Sequence, residues 1–192
     1  NSAQMFIHSK IEHQKARIGK VRANILKGRQ QGASTYIEGR YYWLTSLRTG
    51  LQALILTHLG DSTTALFGMA KRYNDLCPNV LKPATSADNA NELTFGQLDS
   101  GYVVATAGNR RGVGRGRTFQ LLHASEFAFW DAADEHMAGL GQTVPDLPGS
   151  EMIFESTANG VGNAFHQAWQ SAERGETDYI NIFVPWFWQR EY

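Results

Sequence analysis

"ILKGRQQGAST", residues 25–35, carries an apolar run into two glycines and then into small hydroxyl residues. This is the layout of a buried strand feeding a loop that wraps a phosphate before a helix begins. Backbone N–H groups in such a loop converge on anionic oxygens, and the helix N-terminus behind them adds positive potential. The common nucleotide signature, G-x-x-x-x-G-K-S/T, is not met. Aligned on Gly32, its first glycine position holds Lys27 and its lysine position holds Ala33. Three readings are open: a loop whose lysine comes from its other end, a broken loop, or an ordinary strand–turn–helix connection with solvated Lys27 and Arg29. On the first reading, Lys27, Gly28, Arg29, Gln30, Gln31, Gly32, Ala33, Ser34 and Thr35 line the phosphates. Lys27 reaches across on a flexible stem, and Arg29 adds a second cation. Ser34 takes the position of the magnesium-binding hydroxyl, with Thr35 as its neighbouring substitute.

Working outward, hydrophobic spacing predicts alternating strands and helices. "VRANILKG" (21–28) reads as a buried strand, followed by a helix from Ala33 to about Arg48. "LQALILTH" (51–58) is a second apolar run. A helix capped by Asp61 or Ser62 follows it, with Ala65, Met69, Tyr73 and Leu76 on one face, closed by Pro78 and Pro83. Residues 93–107 alternate around a turn as a hairpin. "RTFQLLHASEFAFW" (117–130) begins as a strand and is expected to turn helical after Ser125. "SEMIFESTANG" (150–160) and "DYINIFVPWFW" (178–188) are further strands, flanking a helix from about Asn163 to Arg174 with Phe165, Ala168, Trp169 and Ala172 together. The start, to about Lys20, fits either a helix or an extended arm. The fold class is therefore α/β, a mostly parallel sheet flanked by helices, read as one domain over 1–192. Ligands of such sheets sit beyond the carboxyl ends of the strands.

Three further strand ends carry chemistry. After "FQLLHA" comes Ser125-Glu126, where a nucleotide hydrolase places one carboxylate for magnesium and a second to polarise the attacking water. Glu126 suits the second role, and Ser125 is only a weak metal contact. Capping a helix start is the alternative for Glu126. In "FESTANG" (154–160), Ser156, Thr157 and Asn159 are placed to sense a γ-phosphate, although a turn with a helix cap explains the same residues. "GNRRGVGRGRT" (108–118) sets Arg110, Arg111, Arg115 and Arg117 among glycines, suited to DNA backbone or a neighbouring subunit's nucleotide, or else simply solvated. His123 and His136 lack the spacing of metal ligands. Phe127, Phe129 and Trp130 read as core.

Composition sets the outer bounds. A hydrophobic content of 42% with 19% charged residues is that of a folded protein. The 18 basic and 18 acidic residues cancel, so any nucleic-acid contact must come from a local patch. The single cysteine, Cys77, excludes an internal disulfide and points to a reducing compartment. No apolar run approaches the roughly 18 residues of a membrane span.

In order and spacing, "KGRQQGAST", "GRGRTFQLLHASEFAFW", "ESTANGVGNAFHQAW" and "PWFWQREY" together resemble the large terminase subunit of tailed bacteriophages, the ATP-driven motor that packs DNA into the procapsid. The resemblance runs from about Asn24 to Tyr192. It implies a P-loop NTPase domain of ASCE-type topology, with ATP and Mg2+ bound and Lys27 standing in for the displaced lysine. It implies Glu126 as the catalytic carboxylate, Arg29 as an arginine finger acting in cis, and Thr157 with Ser156 as the segment coupling hydrolysis to movement. Implied partners are double-stranded DNA, the portal and a small terminase subunit. The setting is the cytoplasm of the bacterial host, with an oligomeric ring when assembled and a monomer in isolation. The family's RNase H-like nuclease domain is expected to be absent from this chain, so no nuclease activity is expected. Ser125 departs from the Asp that the family more typically has. Gln4 and Gln14 are alternative adenine contacts.

Two other classes compete. A helicase-like translocase would need a second motor lobe. A nucleotide-independent DNA-binding or scaffold domain would use the 110–117 loop and bind DNA in a salt-sensitive manner, indifferent to ATP and magnesium.

Overall fold

The computed structural model describes residues 1–107, 117–133, 136 and 143–188. Arg110, Arg111 and Arg115 lie outside the described residues, as does the end of the "PWFWQREY" stretch.

Helix α1 (Ser2–Ile18) opens the chain. Asn1 and Gln4 form a capping box at its start, and Gly19 ends it at φ 77°, a left-handed turn that suits glycine. Thus the helical reading of the first 20 residues holds over the extended arm. Strand β1 (Val21–Lys27) then leads into α2 (Ala33–Leu47), β2 (Gln52–Thr57) and α3 (Gly60–Leu76). A short antiparallel unit follows: β3 (Ala87–Asp88), β4 (Glu92–Phe95) and β5 (Ser100–Thr106). The chain continues through β6 (Leu121–Ser125), β7 (Glu151–Ser156), α4 (Ala164–Glu173) and β8 (Ile180–Val184).

These strands form one sheet in the order β3-β4-β5-β2-β6-β7-β1-β8. The pairings from β5 to β8 are parallel, and β3 and β4 add an antiparallel edge. Period-2 alternation splits the buried side chains between the two faces. Ile25, Ala53, Ile55 and Ile153 join Ile7, Ile37, Tyr41, Leu44 and Phe67 on the face covered by α1, α2 and α3. Leu54, Leu122, Ala124, Met152 and Phe154 join Phe127, Trp130 and Phe165 on the other, which α4 covers. Burying each of the Leu, Ile, Met and Phe side chains among them contributes about 1.5–3 kcal/mol. Both faces of the central strands are covered, which is why they read as continuous apolar runs.

Four local expectations need correction. The segment after Ser125 forms only a short 3-10 turn, Phe127–Phe129, because Glu126 takes a left-handed φ of 51° and breaks any helical continuation. Phe127 and Trp130 are core, but Phe129 is exposed and lies against the His58 ring. Helix α3 is rotated from the expected face: Thr63, Leu66, Phe67, Ala70 and Asn74 are buried, while Ala65 and Leu76 are exposed. Two of its buried positions are polar, satisfied by Thr57, Thr106 and Tyr42, so an apolar count misplaces the stripe. That helix also begins at Gly60 without a side-chain cap, so neither Asp61 nor Ser62 caps it. It stops as expected: Cys77 before Pro78 is extended (ψ 130°).

Candidate nucleotide site at the strand tips

The sheet order places β7 between β1, which carries the loop, and β6, which carries Glu126. The carboxyl ends of these three strands therefore converge. Register sets Ile25, Glu155 and Ser125 side by side in one row, which is the last of β6.

The loop from Lys27 to Ser34 is shaped by close approach. A Cβ on Gly28 would come within 2.9 Å of the Trp186 backbone, and Gly28 N–H donates to the Val184 carbonyl. Gln30 and Gly32 take positive φ (56° and 76°), which turns the backbone over itself. Gln31 is buried and donates to the carbonyls of Pro185 and Trp186, anchoring the loop to the segment after β8. From the other side the Gln4 amide donates to the Gly32 carbonyl at 3.0 Å. Gln14, by contrast, bonds the Arg22 N–H and the Asp178 carbonyl at the far end of α1. Of the two glutamines, Gln4 reaches the loop.

Inside the loop, Lys27 donates to Glu126 Oε1 at 2.9 Å and lies 3.3 Å from Glu155 Oε2. Burial works against its charge, but Glu155 and Glu126 outweigh that effect and raise its pKa above the ordinary value. Ser34 donates its hydroxyl to Glu155 Oε1 at 2.7 Å, and Ser125 donates to the same oxygen at 2.9 Å. Thr35 is exposed and turns its hydroxyl to Met69 Sδ instead, away from the carboxylates. Arg29 is exposed on the loop with no ion pair among the described residues. The second Glu126 oxygen accepts from the Thr157 backbone N–H and hydroxyl, both at 3.1 Å, and from Ser156 Oγ at 3.4 Å. Ser156 also accepts from the Ala128 N–H, and Asn159 donates to the Ala128 carbonyl, tying the β7 tip to the turn after Glu126. The exposed Arg117 pairs with Glu92 and lies over the Phe119 ring rather than in this cluster.

Glu155 and Glu38 were not singled out from the sequence. Both are fully buried, with His123 between them: Nδ1 lies 2.7 Å from Glu38 Oε1 and Nε2 lies 3.5 Å from Glu155 Oε1. Burial pushes the Glu38 carboxyl up. Burial opposes charge on His123 as well, but the two carboxylates raise it to about 9. Burial likewise opposes charge on Glu155, yet Lys27, His123 and the Ser34 hydroxyl hold it down to about 2. A signal was present in the sequence: in "EMIFES", the carboxylates at 151 and 155 alternate with apolar residues and so face the buried α2 side. Positions paired to one face of a buried strand do not carry a charge without a partner.

The donor set fits a magnesium–nucleotide complex. It offers a lysine, a helix N-terminus, a hydroxyl with its proton already committed to a carboxylate, and a second carboxylate next to the loop.

No protein-family profile matches the chain, and no curated protein matches it in sequence. Solved structures do match in fold. The HK97 bacteriophage large terminase superposes with a TM-score of 0.69 at 14% identity, covering 91% of this chain and 36% of that one. The large terminase of a thermophilic bacteriophage in complex with ADP superposes at 0.66 and 9% identity, covering 94% and 44%. The N-terminal domain of the DNA packaging ATPase from bacteriophage phi29 superposes at 0.55 and 11%, covering 90% and 93%. The chain thus spans less than half the length of the two large terminases. The chain therefore shares its fold with the matching parts of these phage large terminases and of the phage packaging ATPase. Among the described residues, no helix is long and apolar enough to cross a membrane.

Proposed function

We propose that this chain is a magnesium-dependent ATPase that powers movement of double-stranded viral DNA into a procapsid. One observation carries the reading: Lys27, Ser34, Glu126 and Thr157, from separate parts of the chain, meet at the tips of β1, β6 and β7. Solved structures of this fold include phage DNA-packaging proteins and an ADP complex.

The phosphates lie over residues 27–34, where backbone N–H groups and Lys27 face them. Ser34 and the nearby carboxylates would hold Mg2+, which supplies positive charge to the β- and γ-phosphates when bound. Lys27 now spends its ammonium on Glu126. An arriving triphosphate competes for that ammonium and releases one Glu126 oxygen to orient a water and take its proton as the water attacks the γ-phosphorus; the bond from that phosphorus to the β–γ bridging oxygen breaks, ADP leaves with the electron pair, and inorganic phosphate is the other product. Arg29, exposed on the loop, stabilises charge on the transferring phosphoryl group. Thr157 grips the other Glu126 oxygen, so the carboxylate's swing is felt by the 157–160 turn. That is the route by which hydrolysis couples to the part gripping DNA. Gln4 is the adenine-side contact at the loop. The wider setting we infer is a ring of subunits on the portal, with a small terminase subunit, in the cytoplasm of a bacterial host.

The test is phosphate release from Mg-ATP by the wild type and by Glu126→Gln. The variant is expected to bind ATP but hydrolyse it at least about a hundredfold more slowly, the range for losing a general base. Equal rates in the two proteins would sink the assignment. DNA binding that is indifferent to nucleotide would favour a DNA-binding scaffold instead.

A further inference from the structure

Two glutamates on the same face of β7 are treated differently by the fold. Glu151 is paired as a structural carboxylate is paired: Arg40 approaches it through Nε at 2.7 Å and Nη2 at 2.9 Å, and Lys15 through Nζ at 2.6 Å. Glu155, four residues on, has no exposed surface and receives no such fork. Its Oε1 takes the hydroxyls of Ser34 and Ser125, with the His123 ring 3.5 Å away, and its Oε2 has no bond of good geometry, with Lys27 at 3.3 Å. Three of these neighbours belong to the proposed nucleotide site. The carboxylate is therefore oriented toward the phosphate loop rather than used up by the fold.

Topology makes this possible. β7 is the strand between the loop strand and the Glu126 strand, so a side chain at 155 reaches both the first turn of α2 and the β6 tip. At that β6 tip stands Ser125, which has no charge to offer a cation. Its hydroxyl serves Glu155 instead.

We propose that Glu155 is the positioning carboxylate for the magnesium ion of this site, doing from β7 what an acidic residue at 125 would do from β6. The inference rests on the nucleotide reading above. By accepting the Ser34 proton, Glu155 leaves the Ser34 oxygen lone pairs free for the cation. It also places a fixed negative charge one hydroxyl away from that cation. Mg2+ keeps much of its water and takes few protein ligands, so a single well-placed carboxylate behind one hydroxyl is enough.

The experiment titrates AMP-PNP, a non-hydrolysable ATP analogue, into the 192-residue chain by calorimetry, once with magnesium chloride and once with EDTA. The readout is the ratio of the two affinities, which a purely structural role would not move. In the wild type, magnesium tightens binding. In Glu155→Gln that gain falls by about tenfold or more, the size of one charge-assisted bond. Adding Ser125→Asp to Glu155→Gln restores the gain, because a carboxylate returns to the same row. A Glu155→Gln ratio equal to wild type overturns the proposal. If circular dichroism shows that Glu155→Gln is unfolded, Glu155→Asp decides: it keeps the charge beside His123 and Lys27 but withdraws it from Ser34, so an unchanged ratio there overturns the proposal too. A wild type that binds no AMP-PNP in either buffer defeats the nucleotide reading, and this inference with it. A wild type with a magnesium gain and variants that keep it defeats the Glu155 role alone.

Discussion

Replacing Lys27 by methionine keeps the stem and removes the ammonium from between two carboxylates. The side chain is 8% exposed, Glu155 is fully buried and Glu126 is 26% exposed. Deleting one partner of a buried pair costs about 3–5 kcal/mol, because the other charge is left uncompensated. Here His123 and two hydroxyls still hold Glu155, and Thr157 still holds Glu126. The lower end, about 3 kcal/mol, is therefore expected. For a chain of this size that lowers Tm by about 6–12 °C. On the proposed function phosphate affinity falls at the same time, since that reading makes Lys27 the cation at the phosphates. The decisive assay is a double-mutant cycle in urea or thermal unfolding with Glu155→Gln. Neutralising Glu155 removes the charge that Lys27→Met strands, so the double variant should be more stable than Lys27→Met alone, with a coupling of about 1–3 kcal/mol. A Tm drop under about 2 °C, or effects that add to within about 0.5 kcal/mol, would refute the idea that this lysine neutralises the site.

Two other outcomes are expected. Gly28→Ala forces its Cβ onto the Trp186 backbone at 2.9 Å, so the loop or the turn at 186–188 must shift. Gly32→Ala meets the side-chain amides of Gln4 at 2.8 Å and Asn1 at 3.3 Å and must also hold φ 76°, at a cost of about 1–2 kcal/mol. Both should weaken AMP-PNP binding by calorimetry. Stability against pH should fall on the alkaline side. His123 sits near 9 when folded and 6.5 when unfolded, so its contribution is complete below about 6.5 and lost as pH rises through about 9, about 3 kcal/mol in all. Glu155 acts at the acid end, from about 4.5 unfolded to about 2 folded, with its contribution complete above 4.5 and lost as pH falls through 2. Urea midpoints across pH 3–10 should show both limbs, and His123→Gln should flatten the alkaline one.

What the sequence determined by itself was local. The apolar run ending at Lys27, the glycines at 28 and 32 and the small residues that start α2 specified a strand, a tight loop and a helix, because backbone φ and helix initiation depend on near neighbours. Period-2 spacing in β6 and β7 gave the strands and put Glu126 and Thr157 at their tips. The alternation even held Glu155 on the same face as Glu151, but it could not say what lay opposite. That was decided only by tertiary structure. The strand order sets β7 between β1 and β6, which turns Glu155 from a carboxylate in an apolar strand into the partner of Ser34 and Ser125. The same long-range packing brought Gln4 rather than Gln14 to the loop, paired Arg117 with Glu92, and rotated α3 so that Thr63 and Asn74 faced inward with their hydrogen bonds made. Periodicity fixes which face a side chain takes. Which strand lies beside it, and so which charge it meets, depends on loop closures between residues far apart in the chain, 128 positions for Lys27 and Glu155, and only the packed sheet settles those.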